Sequence, residues 1–402
     1  MKGASFRETF IDRTDPDTGR TVRQLTSSPG NHHHLYFTSN SFNKNNDTVL
    51  FISDRSNGHP NLFKLNLVTG ETVQLTDNRD GYLLSYVYYD GNPYRGLGKA
   101  SPSFEPSTGQ LLYIQGNEVR LLHVETLEER VIYTLPGEVM TGFTHLSSDG
   151  RYACVPYISA EAFRVPPGNE FHHIRDKVMR ERLESHVLVI DTETGEGDVR
   201  FAHQGWITHV QFHPKDPSQI LFNHEGGRVA QRIWLYKDGK IRKIRDQSPE
   251  GLSIWVCHEM WQRDGHRIIY HGSKTVDGVS GVNFVGMAQL DGAGMTECDG
   301  SEDEIVELHF PQNMRAYGHF TVSSDDERLV TDGVIDSSSI HLVRAGWENR
   351  ELSWELLCRH HSSFSVQDVH PHPIFSHDDR YVLFTSDAHN ERSKGNLYLV
   401  EL

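Results

Sequence analysis

The amino-acid sequence predicts an all-β fold, a seven-bladed β-propeller, and two observations carry the prediction. The first is a recurring phrase, a short polar turn followed by a β-branched or aromatic run. Its spacing of roughly 40 to 70 residues is typical of propeller blades with loop insertions. The second is a repeat that is split between the two ends of the chain. The seven copies of the phrase stand at 45–54, 107–116, 147–156, 215–224, 263–272, 324–333 and 377–387.

A second phrase follows most copies and reads as a strand, a tight turn rich in Thr, Gly or Asp, and another strand. Two hairpins per repeat make a four-stranded antiparallel blade. The second phrase stands at 61–77, 119–135, 186–202 and 233–246.

The termini carry the split repeat. The chain ends with NLYLVEL (396–402), which matches the first half of NLFKLNLVTGETVQLTD (61–77) and then stops. The second half stands near the start, as DPDTGRTVRQLTSSP (15–29). We therefore expect residues 21–26 to pair with 396–402 and close the ring, so that no sheet edge stays open. A pair of β-sandwiches explains neither the seven copies nor the split repeat, and residues 1–402 are predicted to form one domain.

One insertion, at 158–185, interrupts the pattern. It reads as a loop followed by a short helix with the basic residues Arg175, Lys177, Arg180 and Arg182. Two interpretations remain: a lid over one mouth of the channel, or a solvated helix packed on the rim. The second is favoured.

Composition narrows the partners and the compartment. With 36% hydrophobic and 23% charged residues, the chain is that of an ordinary soluble protein. No membrane partner is expected, because no window approaches the roughly 20 apolar residues of a span. A net charge of −16 argues against a nucleic-acid partner. The start of the chain lacks the apolar core of a secretion signal. A cytoplasmic location is expected, since no CxxC spacing joins the four cysteines, Cys154, Cys257, Cys298 and Cys358.

The 25 histidines are unusually numerous, and four of them share a position in consecutive repeats. In a propeller, the start of each innermost strand faces one mouth of the channel. The count starts in the polar turn of each repeat, at Lys215, Asp264, Asp325 and Asp378. Six residues before them stand His209, His258, His319 and His372. His370 lies two residues before His372, on the same face of an extended strand, and Gln367 stands at the entry to that strand. These side chains are predicted to converge.

Neutral imidazoles and a carboxamide oxygen suit Mn²⁺, Fe²⁺, Ni²⁺ or Zn²⁺. The cluster holds no cysteine and no HExxH helix, which argues against a structural zinc site or a zincin. A partly filled coordination sphere leaves room for substrate oxygens. Arg232 is either a fork for a substrate carboxylate or a salt bridge at the rim. His209 is also a candidate for substrate binding, as are two histidines that open other blades with different offsets, His34 and His145.

Five segments carry a resemblance to a known family: HHHLYFTSNSF (32–42), RVAQRIW (228–234), HEMW (258–261), GHFTVSSDD (318–326) and VQDVHPHPIFSHDDRYVLFTSD (366–387). They resemble the oligogalacturonate lyases of polysaccharide lyase family 22, and the similarity runs along essentially the whole chain. The resemblance implies a seven-bladed propeller with a Mn²⁺ ion held by three histidines and a glutamine. It also implies cleavage of short galacturonides, often unsaturated digalacturonate, inside the cell after pectin is depolymerised.

Matching the motifs residue by residue assigns the roles. The metal ligands would be His319, Gln367, His370 and His372. His258 would be the base and Arg232 the catalytic arginine. Metal and arginine would stabilise charge as the C5 proton is removed beside a uronate carboxylate, in a β-elimination that yields 4-deoxy-5-keto-uronate products. A histidine suits the role of base.

The stretches 158–185 and 273–317 depart from the family pattern and leave the exact uronide open, including those of ulvan and glycosaminoglycans. A non-catalytic TolB-like propeller is the main alternative, but it would have no clustered metal set. A propeller that caps a prolyl-peptidase would need a G-x-S-x-G elbow, which GVSGV (278–282) does not match. The chain length of the substrate, the metal loaded and the oligomeric state stay open at this point.

Overall fold

A computed structural model describes residues 1–79, 102–290, 304–314 and 317–402. Its strands form seven antiparallel sheets, each of four or five strands. The predicted seven-bladed propeller is confirmed. Within the described ranges, no helix combines the length and the apolar character that crossing a membrane requires.

The strands are numbered in chain order. The first sixteen are β1 (Ser5–Arg7), β2 (Ile11–Thr14), β3 (Thr21–Gln24), β4 (His32–His34), β5 (Thr48–Ser53), β6 (Asn61–Asn66), β7 (Glu71–Gln74), β8 (Ser103–Glu105), β9 (Gln110–Gln115), β10 (Glu118–His123), β11 (Glu129–Thr134), β12 (Val139–Thr141), β13 (His145–Leu146), β14 (Tyr152–Ser159), β15 (Glu184–Asp191) and β16 (Gly197–Gln204). The others are β17 (Val210–His213), β18 (Asp216–Asn223), β19 (Ile233–Lys237), β20 (Lys240–Lys243), β21 (Trp255–Trp261), β22 (Arg267–Val276), β23 (Val279–Gln289), β24 (Glu304–His309), β25 (Phe320–Val322), β26 (Arg328–Thr331), β27 (Ser339–Gly346), β28 (Glu351–Arg359), β29 (Ile374–Phe375), β30 (Tyr381–Ser386) and β31 (Asn396–Glu401).

Blades 1 to 6 follow one another along the chain. They are β4–β7 with β1 at the outer edge, β8–β11, β12–β16, β17–β20, β21–β24 and β25–β28, and blade 7 is β29–β31 with β3 and β2. One α-helix, α1 (Glu170–Glu181), and three 3-10 turns, Ala160–Phe163, Gly251–Ser253 and Gln367–Val369, complete the described elements.

Burial along the strands follows their position in a blade. The second strands, such as β5 and β30, are buried at five of six positions because neighbouring blades cover both faces. The outer strand β28 alternates instead between exposed and partly buried residues over its first six positions. The apolar runs recognised in the sequence are therefore the layers between blades.

The ring closes through the N-terminal segment, as predicted. In blade 7, β3 pairs with β31 in the register Val22↔Val400 and Gln24↔Tyr398. The closure is more extensive than expected, because β2 adds a fifth strand outside β3 and β1 pairs with β7 of blade 1. Gly70, at φ 72, turns β6 into β7, and a Cβ there would meet the Glu8 carbonyl oxygen at 2.4 Å. The N-terminal segment thus joins the last blade to the first.

The inserted segment is shorter than predicted, since β14 runs to Ser159 and β15 begins at Glu184. Its helix, α1, buries Ile174 and Val178 in a cluster with Trp206. The Lys177 ammonium donates to the carbonyl oxygen of Glu161 at 2.6 Å. These contacts pack the helix against blade 3.

Aromatic side chains fill the channel. Tyr36 and Phe143 lie with their ring centroids 3.9 Å apart, and Tyr36 and Phe37 are 4.3 Å apart. All three are buried in a cluster that also takes residues from blades 5, 6 and 7. They form the floor of the mouth at which the inner strands begin.

Candidate metal centre and catalytic site

Three histidines from two blades meet at this mouth. His319 directly precedes β25, while His370 and His372 stand on the segment that leads into β29. That segment is not the extended strand that the sequence predicted, because His372 adopts φ 43, in the left-handed region. Their ligand nitrogens all lie within 4.8 Å of one another, and all three residues are buried. Gln367 opens the adjoining 3-10 turn and is buried, and its backbone carbonyl oxygen accepts a hydrogen bond from the backbone N–H of His370 at 3.2 Å. The structure therefore brings the three predicted histidines together, with Gln367 one turn away along the chain.

Asp332, which the sequence analysis did not single out, supports this trio. Its carboxylate accepts hydrogen bonds from the backbone N–H of His319 (2.6 Å), from Nδ1 of His319 (2.8 Å) and from the backbone N–H of His372 (2.9 Å). Burial acts to raise the pKa of Asp332, but its pairing with His319 outweighs burial and lowers the pKa to about 2. Because Nδ1 of His319 donates to the carboxylate, its Nε2 presents a lone pair, which is the arrangement a metal ligand requires. The sequence feature that could have identified Asp332 is its position directly after the run RLVT, which lies next to the inner strand.

His258 reaches the site through a β-bulge in β21. The pairing with β22 slips between Cys257 and Met260, so that His258 and Glu259 fall in the bulge. A bulge re-aims side chains, and His258 adopts φ 54 there. Its ring centroid is 4.4 Å from that of His319. Burial, aided by neighbouring His319 and His271, holds the pKa of His258 well below its usual value, so the neutral, proton-accepting form prevails at pH 7.

Arg232 lies inside the protein, with 0% of its surface exposed. Its Nε donates to Oε2 of Glu259 at 2.8 Å, and its Nη1 is 3.5 Å from Oε1 of Glu225. Burial acts to raise the pKa of Glu259, but Arg232 and His209 outweigh it and lower the pKa to about 2. The arginine is thus ion-paired, in the interior of the protein and not at the rim.

The three histidines named as substrate-binding candidates have different surroundings. His209 places Nδ1 3.2 Å from Oε1 of Glu259 and packs edge-on against Phe143. His34 supports the trio from behind, with Nε2 2.8 Å from the carbonyl oxygen of His372. His145 is not brought to the trio. It lines a cavity of about 380 Å³ where the inner strands end, beyond the aromatic floor.

Tyr317 is a further residue that the sequence analysis missed. It is 44% exposed, and its hydroxyl lies 3.3 Å from Nε2 of His319. Its ring centroid is 6.0 Å from that of His258. The alternation of strand side chains was the available signal, because Tyr317 stands two residues before His319. It places a hydroxyl at the open side of the site.

The donor set fits a divalent transition metal. It offers three buried imidazoles, one of them oriented by a carboxylate, and no thiolate among these residues. In the described part of the chain, Cys154, Cys257 and Cys358 are buried free thiols. Cys298 falls outside the described residues.

Comparison with known proteins finds a matching family and full-length relatives. The family model described as oligogalacturonate lyase matches residues 1–299. The oligogalacturonide lyase of Pectobacterium atrosepticum is 25% identical over 430 aligned residues, which cover all of this chain and 98% of the relative. The oligogalacturonate lyase of Dickeya dadantii is also 25% identical, with the same coverage.

Two solved structures match over the full chain and 98% of their own length. An oligogalacturonate lyase in complex with manganese superposes with a TM-score of 0.80 at 26% identity. The fold is shared as well by an oligogalacturonate lyase from Vibrio parahaemolyticus, with a TM-score of 0.79 at 24% identity. With its propeller fold and its histidine trio, the chain belongs to the oligogalacturonate lyase family.

Proposed function

We propose that the protein cleaves short oligogalacturonides, chiefly saturated or unsaturated digalacturonate, by metal-assisted β-elimination in pectin catabolism. The observation that carries the proposal is the histidine trio, with ligand nitrogens within 4.8 Å of one another beside a separate buried histidine, His258. The manganese in a related lyase supports Mn²⁺ as the cofactor of this chain.

The proposed ligands are His319, Gln367, His370 and His372. When bound there, the ion supplies Lewis-acid neutralisation of the uronate carboxylate next to C5. Asp332 keeps Nε2 of His319 directed at the site. The aromatic floor of Tyr36, Phe37 and Phe143 excludes water from below.

His258 is the proposed base. Its neutral imidazole takes the C5 proton, the C5–H electron pair forms the C4–C5 double bond, and the C4–O4 bond breaks. The leaving oxygen takes a proton from water, and the unsaturated product rearranges to the 4-deoxy-5-keto-uronate. A base that is neutral at working pH suits this step, because a protonated imidazole cannot accept the proton.

Arg232 is proposed to stabilise the negative charge that develops on the carboxylate. Glu259 and Glu225 hold its guanidinium in place before substrate arrives. The local cations are needed, since the protein as a whole carries a net charge of −16 and would repel an anionic substrate. A cytoplasmic location is proposed with this function, supported by the three buried free thiols.

The decisive experiment is a lyase assay of the Mn²⁺-loaded protein on a panel of saturated and unsaturated uronides, with products read by mass spectrometry. We expect turnover of digalacturonates to 4-deoxy-5-keto-uronate. His258→Ala should abolish turnover while metal content persists, and His370→Ala should lose both. If only another uronide were turned over, that uronide would be the substrate in place of digalacturonate. If no uronide were turned over, the result would favour a non-catalytic binding propeller. Loss of metal from His258→Ala would make that residue a ligand.

A further inference from the structure

A second buried histidine, His271, contacts the proposed base. Nδ1 of His258 lies 2.6 Å from Nε2 of His271, with the ring centroids 4.9 Å apart and the ring planes inclined by 23°. Both residues are buried. His271 belongs to β22 and stands directly opposite Cys257, next to the bulge that carries His258. Neither the metal set nor the arginine network includes it.

The position of His271 is fixed by its surroundings. Its ring is packed edge-on against Trp255, with centroids 5.3 Å apart, and lies 5.1 Å from Phe320. The backbone of His271 is held by β-sheet pairing on both sides, to Cys257 of β21 and to Val285 of β23. A rigid partner of this kind can select one state of a neighbouring side chain.

We propose that His271 is a positioning residue that sets the tautomer of His258, by accepting a hydrogen bond from Nδ1–H of that ring at its own Nε2. A neutral imidazole carries a single N–H. With that proton on Nδ1, Nε2 of His258 keeps its lone pair and can accept the C5 proton. The inference rests on the proposed function, in which His258 is the base.

The contact also gains strength during the reaction. Once Nε2 of His258 has taken the proton, the ring is a cation and its Nδ1–H donates a charge-assisted hydrogen bond, which is shorter and stronger than a neutral one. The stabilisation therefore grows as the proton is transferred. An imidazole partner adds no negative charge beside a site that must receive a uronate carboxylate, whereas an aspartate in its place would repel that group.

The test compares His271→Gln with His271→Phe. The carbonyl oxygen of a glutamine can accept from Nδ1–H, and a phenyl ring cannot. Nitrogen NMR of metal-free protein labelled with ¹⁵N-histidine reads the tautomer directly, and the signal of His258 is assigned by its loss in His258→Asn. We expect the Nδ1–H tautomer in the wild type and in His271→Gln, and a mixture of tautomers in His271→Phe.

Steady-state kinetics of the same variants provide a second measurement of the role of His271. His271→Phe should lower kcat on digalacturonate on the order of 10²-fold, the lower range for losing a general base, with KM and Mn²⁺ content unchanged. His271→Gln should restore most of kcat. His203→Phe, a substitution of a half-buried histidine outside the site, is the matched control and should change neither kcat nor the tautomer.

The possible results distinguish the positioning role of His271 from the role of His258 as the base. An Nε2–H tautomer of His258 in the wild type overturns the role of His271, whatever the activity and even if the phenylalanine variant fails to fold. An unchanged tautomer and kcat in His271→Phe overturn it as well. If His258→Asn still eliminates, the assignment of the base is wrong, and the NMR result then describes only a structural pair.

Discussion

Asp332 shows how much of the proposed metal site depends on one carboxylate. It joins the side chain of His319 to the backbone of His372, so that two blades share a single support. Asp332→Asn preserves the shape but replaces one acceptor oxygen with an NH₂ group. Mn²⁺ affinity should fall about 10- to 100-fold, the usual cost of losing such an outer contact, as measured by calorimetric titration.

The control for this prediction is Asp336→Asn. Asp336 is partly exposed on the same blade and binds His341 and Arg359. Its replacement should leave Mn²⁺ affinity unchanged. Equal affinities for the wild type and Asp332→Asn would show that the trio is held by other means.

Replacing Arg232 with lysine tests whether the shape of the guanidinium matters as well as its charge. A lysine keeps the charge but offers one ammonium group in place of a planar fork. Arg232→Lys should lose most of kcat, because a single ammonium cannot face Glu259, Glu225 and substrate at once. Steady-state kinetics with galacturonides would measure the loss. Activity near that of the wild type would mean that charge alone suffices.

Glu259 should make the protein sensitive to acid. Its folded-state pKa of about 2 lies below the ordinary 4.5, so its ionised form stabilises the fold at pH above 4.5. This stabilisation is lost as pH falls from 4.5 towards 2. The difference in unfolding free energy between the wild type and Glu259→Gln should therefore narrow over that range. Denaturant titrations at several pH values would measure it.

At the scale of elements, β21 marks the limit of what the sequence could predict. Counting back six residues correctly located His209, His319 and His372 just before their inner strands. His258 obeys the same count but stands inside β21, and it faces the site only because of the bulge there. A bulge depends on pairing with β22, so no periodicity within β21 alone reveals it. Asp332 and His271 were missed for the same reason, because the histidines that they contact lie on other strands and are distant in the sequence.

The packing of helix α1 on blade 3 should contribute to the stability of the protein. Ile174 is fully buried against blade 3, whereas Met179 on the same helix is 55% exposed. Ile174→Ala should lower the free energy of unfolding by about 2 to 4 kcal/mol through the cavity it leaves. Met179→Ala should change it by less than about 0.5 kcal/mol. Chemical denaturation would compare the two, and equal effects would contradict the packing of this helix.

For the molecule as a whole, the repeat count and the split repeat were enough to predict seven blades and their closure. The two additional N-terminal strands were not predicted, because β1 and β2 are short, exposed and lack the apolar pattern of a blade. Edge strands of this kind are held by backbone pairing, which leaves little trace in the side chains.

Deleting residues 1–28 tests the closure. The deletion removes β3 and the buried side chains of Val22 and Leu25, whose burial is worth about 3 to 6 kcal/mol in total. The melting temperature should fall markedly. Deleting residues 1–4, which precede β1 and are not buried, is the control, with a small expected change. Unchanged melting of the longer deletion would contradict the closure.

The pairing of β3 with β31 also sets an order of events during synthesis. About 370 residues separate the two strands, so at 5–20 residues per second the N-terminal segment waits roughly 20 to 75 s for its partner. The blades between can form on the ribosome, but the last blade cannot be completed until the final strand has emerged. The exposed edges of the first and last blades are open to pairing with other chains during this interval. Loss of β31 alone would leave both β3 and β30 without the partner they share, so a stop codon just before β31 should be as damaging to the ring as removal of the N-terminal strands.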